Sequence, residues 1–213
     1  MEDAIRHRTL GPEEFFGTIV PTRFREHLED LERELGRLQQ RIEELQALRL
    51  SLGIHLEGPG GGDFFLNIDG GALRAESAPS SPPVLKIHQS VEDWSTAVDR
   101  EGTRAFSLLG GAREVPGGLR LNAERVERMR GLRGSLRITL THLPGRPKDD
   151  TWSVTAAFGD APPNPATTTV TLTYAAADEL REGTLNPQQA FMAGKIQLSG
   201  DMGFAMRLGM LIL

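Results

Sequence analysis

Five histidines, His7, His27, His55, His88 and His142, are the candidate metal ligands, and none has another two to four residues away. A locally built metal site needs two ligands on one helix face or hairpin, so the spacing supplies none. The chain has no cysteine, which removes a thiolate nucleophile and a disulfide framework as well. Gly194-Lys195 has the look of a phosphate loop. However, Ile196 follows the lysine where Ser or Thr belongs, and Gln189 occupies the place of the first glycine. The glycine run at Gly58, Gly60, Gly61 and Gly62 lacks the dinucleotide spacing and opens no helix. No G-x-S-x-G elbow occurs. The carboxylate pairs Glu43-Glu44 and Asp149-Asp150 fall on a polar helix face and in a loop, where solvation is their ordinary role. Nothing in these residues motivates an enzyme, and no cofactor or metal is implied.

The unusual composition is at the C-terminus. Phe191, Met192, Ile196, Leu198, Met202, Phe204, Met206, Leu208, Met210, Leu211 and Leu213 crowd the end of the chain. A helix over 201–209 puts Met202, Ala205 and Met206 on one face, with Phe204 and Leu208 beside it. A helix that is apolar almost all round is either core or faces a ligand cavity. Methionine is flexible and polarizable, which suits an apolar surface that must accept varied ligands. Gly203 and Gly209 each weaken such a helix by ~1 kcal/mol relative to alanine.

The elements that would position this end are legible in the preceding 190 or so residues. The chain has 213 residues, 25% of them charged and 38% hydrophobic, with a net charge of −5. That is an ordinary globular composition with no electrostatic drive toward nucleic acid or anionic membrane. The N-terminus lacks a signal-peptide core, and the apolar stretch from Met202 to Leu213 is short of the ~20 residues needed to span a bilayer. The expectation is a soluble, cytoplasmic, bacterial protein with at most transient membrane contact.

Residues 1–21 read as a lead-in segment. Pro21-Thr22 then opens a helix over 22–49, with Thr22 as its N-cap. Phe24, Leu28, Leu31, Leu35, Leu38, Ile42 and Leu45 follow in alternating steps of four and three, which is a heptad seam. A seam this narrow suits a homodimer, a partner helix or one seam of a sheet.

After Leu48 the period changes to two. Leu50, Leu52, Ile54 and Leu56 alternate with small or polar residues, as a half-buried strand does. Phe64 to Ile68, a segment near Leu73, and Val84 to Ile87 are further strands, and Ser90 caps a helix with Asp93. The order then recurs. Leu136, Ile138 and Leu140 repeat Leu52, Ile54 and Leu56. Trp152 and Val154 begin a second strand, Val170 follows Val84, and Asp178 to Leu180 stand for Glu92 to Trp94. Ala190-Phe191 follow Ala105-Phe106. This order reads as a tandem duplication, with a degenerate half over 50–133 and a well-marked half over 134–213.

The run from Leu185 through Asn186-Pro187, Ala190-Phe191, Gly194-Lys195 and Gly200-Asp201 to Leu208 resembles the end of the sterol carrier protein 2 family. The resemblance implies an α+β fold in which a five-stranded sheet is covered by helices around an apolar tunnel. It implies noncatalytic binding of sterols, fatty acyl chains or isoprenoids. Some bacterial relatives, in ubiquinone biosynthesis, bind isoprenoid quinone intermediates, and one type pairs the domain with a coiled coil. On that footing Trp152, Phe158, Leu180, Phe191, Met192, Met202, Met206 and Met210 are the candidate lipid-binding residues, and the Met-rich helix closes the tunnel. The first half has no G-K-x-x-x-x-G-D motif, and its helix over 122–133 carries five charged residues between Glu124 and Arg130. It is therefore expected not to hold ligand alone. The alternative function is a scaffold or assembly protein that dimerises or recruits a partner through the heptad helix.

Overall fold

The computed structural model describes residues 11–101, 121–147 and 150–212. Ala105, Phe106 and Asp149, which entered the sequence reading, lie outside these residues. The chain forms two units, Met1–Glu44 and Leu45–Leu213.

The first unit is helical. α1 (Pro12–Glu14) runs through a π-helical turn, Phe15–Ile19, into α2 (Val20–Ala47). Thr22 is thus inside a helix that starts earlier than expected, and it is not an N-cap. The wide turn ends where the Val20 N–H bonds to the Phe15 carbonyl, just before Pro21, which has no N–H to give. The seven seam residues are all exposed, from 42% at Leu45 to 64% at Phe24.

The second unit is built on one mixed sheet. Its strands are β1 (Arg49–Glu57), β2 (Gly62–Asp69), β3 (Ala72–Glu76), β4 (Leu85–Ser90), β5 (Gly134–Thr141), β6 (Thr151–Phe158), β7 (Thr168–Thr173) and β8 (Ile196–Gly200). Their order is β3-β2-β1-β4-β6-β5-β7-β8. The sheet therefore has eight strands in place of the five implied by resemblance. The join is antiparallel pairing of β4 with β6, Ile87 opposite Ala156, which fuses two four-stranded halves edge to edge.

The two halves share a pairing scheme. β1 pairs antiparallel with β2 and parallel with β4, while β5 pairs antiparallel with β6 and parallel with β7. Register corrects part of the sequence alignment. Ile54 lies opposite Ile87 and Ile138 opposite Val170, so Val170 takes the place of Ile87 and not that of Val84. The following helices, α3 (Val91–Glu101) and α5 (Tyr174–Arg181), begin alike. Ser90 accepts from the Asp93 N–H at 3.0 Å and Thr173 from the Ala176 N–H at 3.2 Å. Ala175 to Ala177 thus stand where Glu92 to Trp94 stand. A connecting loop in each half donates a backbone N–H to a buried serine of the first strand, Ser81 to Ser51 Oγ and Thr167 to Ser135 Oγ.

Period-two alternation makes the sheet two-faced. One face carries Leu50, Leu52, Ile54, Ile87, Val154, Ile138 and Val170, and the other carries Ser51, His55, His88, Thr155 and Arg137. α4 (Ala123–Gly131) and α7 (Met202–Ile212) pack on the apolar face. α4 solves its charge problem by facing: Val126 and Met129 are buried while Glu124, Glu127, Arg128 and Arg130 are exposed. Val126, Met129 and Leu132 share one core with Phe204, Leu208 and Leu211, so this helix joins the core that α7 closes.

Candidate functional site

The apolar sheet face has two regions. Where β1 and β5 begin, it is sealed. Phe204 is fully buried over Gly134, its ring 6.3 Å from that of Phe158, and Met129, Leu208 and Leu211 complete the seal. Further along the strands the floor continues, half-buried in the middle and buried again at Leu56 and Leu172. Ile54, Ile87, Leu140 and the cross-strand row Val154, Ile138, Val170 and Leu198 lie outside the sealed cluster and keep partial exposure. Central strands of a wide sheet ordinarily bury such residues. A half-covered apolar floor bordered by helices is the arrangement in which an apolar ligand replaces water.

The start of α3 is fixed beside this floor. The Trp152 indole N–H donates to the Asp93 carbonyl at 2.8 Å, and the Ser153 N–H donates to the Asp93 carboxylate at 3.1 Å. Burial pushes the Asp93 carboxyl up, opposed by hydrogen bonds from Ser153 and Ser90 and by the nearby Arg146. Arg146 ties the adjoining loop to α3 through Thr96 Oγ1 at 2.6 Å and to Asp150 at 3.2 Å.

The C-terminal motif turns out to be hardware for placing α7. Asn186 accepts the Gln188 N–H, capping α6 (Pro187–Met192), and Gly194, at φ +70°, ends it. Lys195 Nζ sits 2.6 Å from Glu179 Oε2, linking the start of the β8 segment to α5. Gly200, at φ +95°, leaves no room for a Cβ beside the Thr167 carbonyl. Asp201 then caps α7 by accepting the Phe204 N–H at 3.0 Å, while its own carbonyl accepts from Thr168 Oγ1 at 2.7 Å.

The stretch that holds this hardware decides the comparison. Residues 119–212 match the SCP-2 sterol transfer family. The match takes in α4 and the whole second half, and residues before 119 lie outside it. No curated protein matches significantly. Solved structures similar to the chain include the sterol carrier protein domain 2 of Helicoverpa armigera, at 23% identity, 46% of this chain, 78% of that chain and a TM-score of 0.34. Sterol carrier protein 2 from Yarrowia lipolytica, in an apo form, matches at 21% identity over 42% of this chain and 74% of that one, with a TM-score of 0.30. A sterol carrier protein 2-like protein of Aedes aegypti matches at 19% identity over 57% and 97%, with a TM-score of 0.32.

Within the matching segment the eight candidate lipid residues separate. Trp152 and Phe158 share the apolar face of β6, the first half-buried on the open floor and the second in the seal. Leu180 is half-buried on α5. Phe191 and Met192 are exposed on α6. Met202, Met206 and Met210 form an exposed stripe on α7, opposite its buried Phe204, Leu208 and Leu211. Helical periodicity puts Met202 and Met206 on one face with Phe204 and Leu208 beside it; in the structure the methionines turn outward, and Phe204 and Leu208 lie opposite them. The inward face went to Phe204, whose ring fits over Gly134, a strand position without a side chain.

Sequence reasoning missed the floor residues Ile54, Ile87, Ile138 and Val170 as site candidates. The signal was the alternation itself, read there only as strand. It also missed a histidine pair. His55 and His88 are cross-strand neighbours with rings 5.5 Å apart, and His55 Nδ1 lies 2.8 Å from Asp63. Their separation of 33 residues hid them from any local motif. Among the described residues, no three His, Asp or Glu side chains are grouped to hold a metal ion, and no helix is long and apolar enough to cross a membrane.

Proposed function

We propose that this protein binds and carries a hydrophobic lipid (fatty acyl, sterol-like or isoprenoid) without transforming it. The observation that carries the reading is the half-buried apolar floor around Ile138, Val154 and Val170 in a segment that matches the SCP-2 family. Each Å² of lipid surface taken from water there contributes ~25 cal/mol. These floor side chains supply no acid, base or nucleophile, so they hold a ligand and do no chemistry on it. In this reading Trp152, Phe158 and Leu180 border the bound chain. α7 is the closing element of the tunnel, with Phe204 and Leu208 shutting one end. Phe191, Met192, Met202, Met206 and Met210 meet lipid as it enters and leaves, which gives an exposed methionine surface a use. The two halves with one pairing scheme support descent from a tandem duplication, and Ile54 and Ile87 bring the first half into the same floor.

Native mass spectrometry of the purified full chain, followed by organic extraction, should reveal a copurifying lipid. A chain that is empty from several hosts and takes up neither fluorescent fatty acid nor sterol would rule the reading out.

A second reading has its own observation. The exposed heptad seam of α2 supports assembly, by dimerisation or partner recruitment.

A further inference from the structure

We infer that the α2 seam is covered by a second copy of this chain, running antiparallel, with Leu28 against Leu45 of the other copy. The inference rests on the assembly reading and adds the occupant, the orientation and the register.

Phe24, Leu31, Leu38 and Leu45 are d positions and Leu28, Leu35 and Ile42 are a positions, because the step from Leu28 to Leu31 is three. All seven are exposed on the helix, and the six from Phe24 to Ile42 lie in the first unit, which leaves them unfilled. Two charged pairs within the helix, Arg23 with Glu26 and Arg33 with Asp30, use its outer positions.

The seam's borders choose the partner's direction. The g positions are His27, Glu34 and Arg41, and the e positions are Arg25, Glu32, Gln39 and Gln46. In an antiparallel pair, g faces g and e faces e. Setting Leu28 against Leu45, Leu31 against Ile42 and Leu35 against Leu38 forms six apolar layers by symmetry. It also sets Glu34 against Arg41 of the other copy, twice, and Glu32 against Gln39, twice. A slip of one heptad keeps six layers but puts Glu34 against Glu34 and Glu32 against Glu32. A parallel, in-register pair sets Glu34 and Arg41 only against glutamines. No a position carries the asparagine that commonly fixes a parallel dimer. Charge complementarity therefore selects one antiparallel register.

The chain has no native cysteine, so introduced thiols report position cleanly. Light scattering on the full chain should give a dimer; a monomer at all concentrations overturns the assembly reading and this inference together. Glu34→Arg and Arg41→Glu should each raise the dimer dissociation constant about tenfold, and the double exchange should restore it. A dimer indifferent to both single exchanges overturns the orientation while leaving assembly standing. Leu28→Cys alone should not cross-link on oxidation, since its copies would lie roughly 25 Å apart, but mixed with Leu45→Cys it should. Efficient cross-linking of Leu28→Cys to itself would demonstrate a parallel pair and overturn the inference. Circular dichroism of each variant excludes loss of helix as the cause.

Discussion

Phe204 occupies the space that a side chain on Gly134 would need. A Cβ built at Gly134 would stand 2.6 Å from the ring, and the residue's φ of +145° is one that side-chain-bearing residues rarely adopt. Phe204 is wholly buried, so it has no room to yield. Gly134→Ala should destabilise the protein by about 2–4 kcal/mol, from overpacking and backbone strain together. Urea unfolding measures this directly, and a change below about 1 kcal/mol would mean that the ring relocates.

Asp201 connects β8 to α7 and caps that helix. Asp201→Ala removes the acceptor for the Phe204 N–H and should cost about 1 kcal/mol, with Asp201→Asn retaining most of the stability. Because the cap holds the start of α7, limited proteolysis should reach the C-terminal segment faster in the alanine variant. Equal cleavage rates would show that Phe204, Leu208 and Leu211 alone hold α7 down.

His88 should give the stability a pH dependence. Burial first, then electrostatic repulsion from the His55 and Lys86 side, holds its pKa below the usual histidine value, and Asp63 only partly opposes this. The folded state therefore takes up a proton less readily than the unfolded chain. Stability is unaffected well above pH ~6.5 and falls as pH drops through that value. Asp93 has the opposite sign in a lower window: its raised pKa means that protonation near pH ~4 favours the folded state. Urea midpoints from pH 7.5 to 5.5 should decline less in His88→Gln than in the parent. Parallel declines would assign the effect to other groups.

The features legible in the sequence were those written in local periodicity. The heptad steps from Phe24 to Leu45 and the alternation of Leu50, Leu52 and Ile54 each became the element they implied. Ser90 and Asp93 made the expected cap. What escaped depended on partners far along the chain. Nothing in Ile87 or Ala156 announces that they pair, yet this pairing turns two small sheets into one of eight strands. Nor does a helix that is apolar almost all round declare its inward side. Met202 and Phe204 are equally greasy, and the choice fell to the shape of the floor at Gly134.

The floor and the methionine stripe should separate under mutation. Ile138 is half-buried between Val154 and Val170, so Ile138→Asp puts a carboxylate where a lipid chain would lie. Equilibrium uptake of a fluorescent fatty acid should fall roughly tenfold or more, because charge in an apolar site is costly to desolvate. Met206 and Met210 are 68% and 65% exposed on the opposite side of α7 from its core residues. Met206→Asp with Met210→Asp should leave stability within about 0.5 kcal/mol and binding nearly unchanged. It should instead slow exchange of the lipid between vesicles, since that step needs apolar contact at the helix's outer face. If Ile138→Asp binds lipid normally and the double aspartate variant does not, the ligand sits under the methionines and not on the sheet.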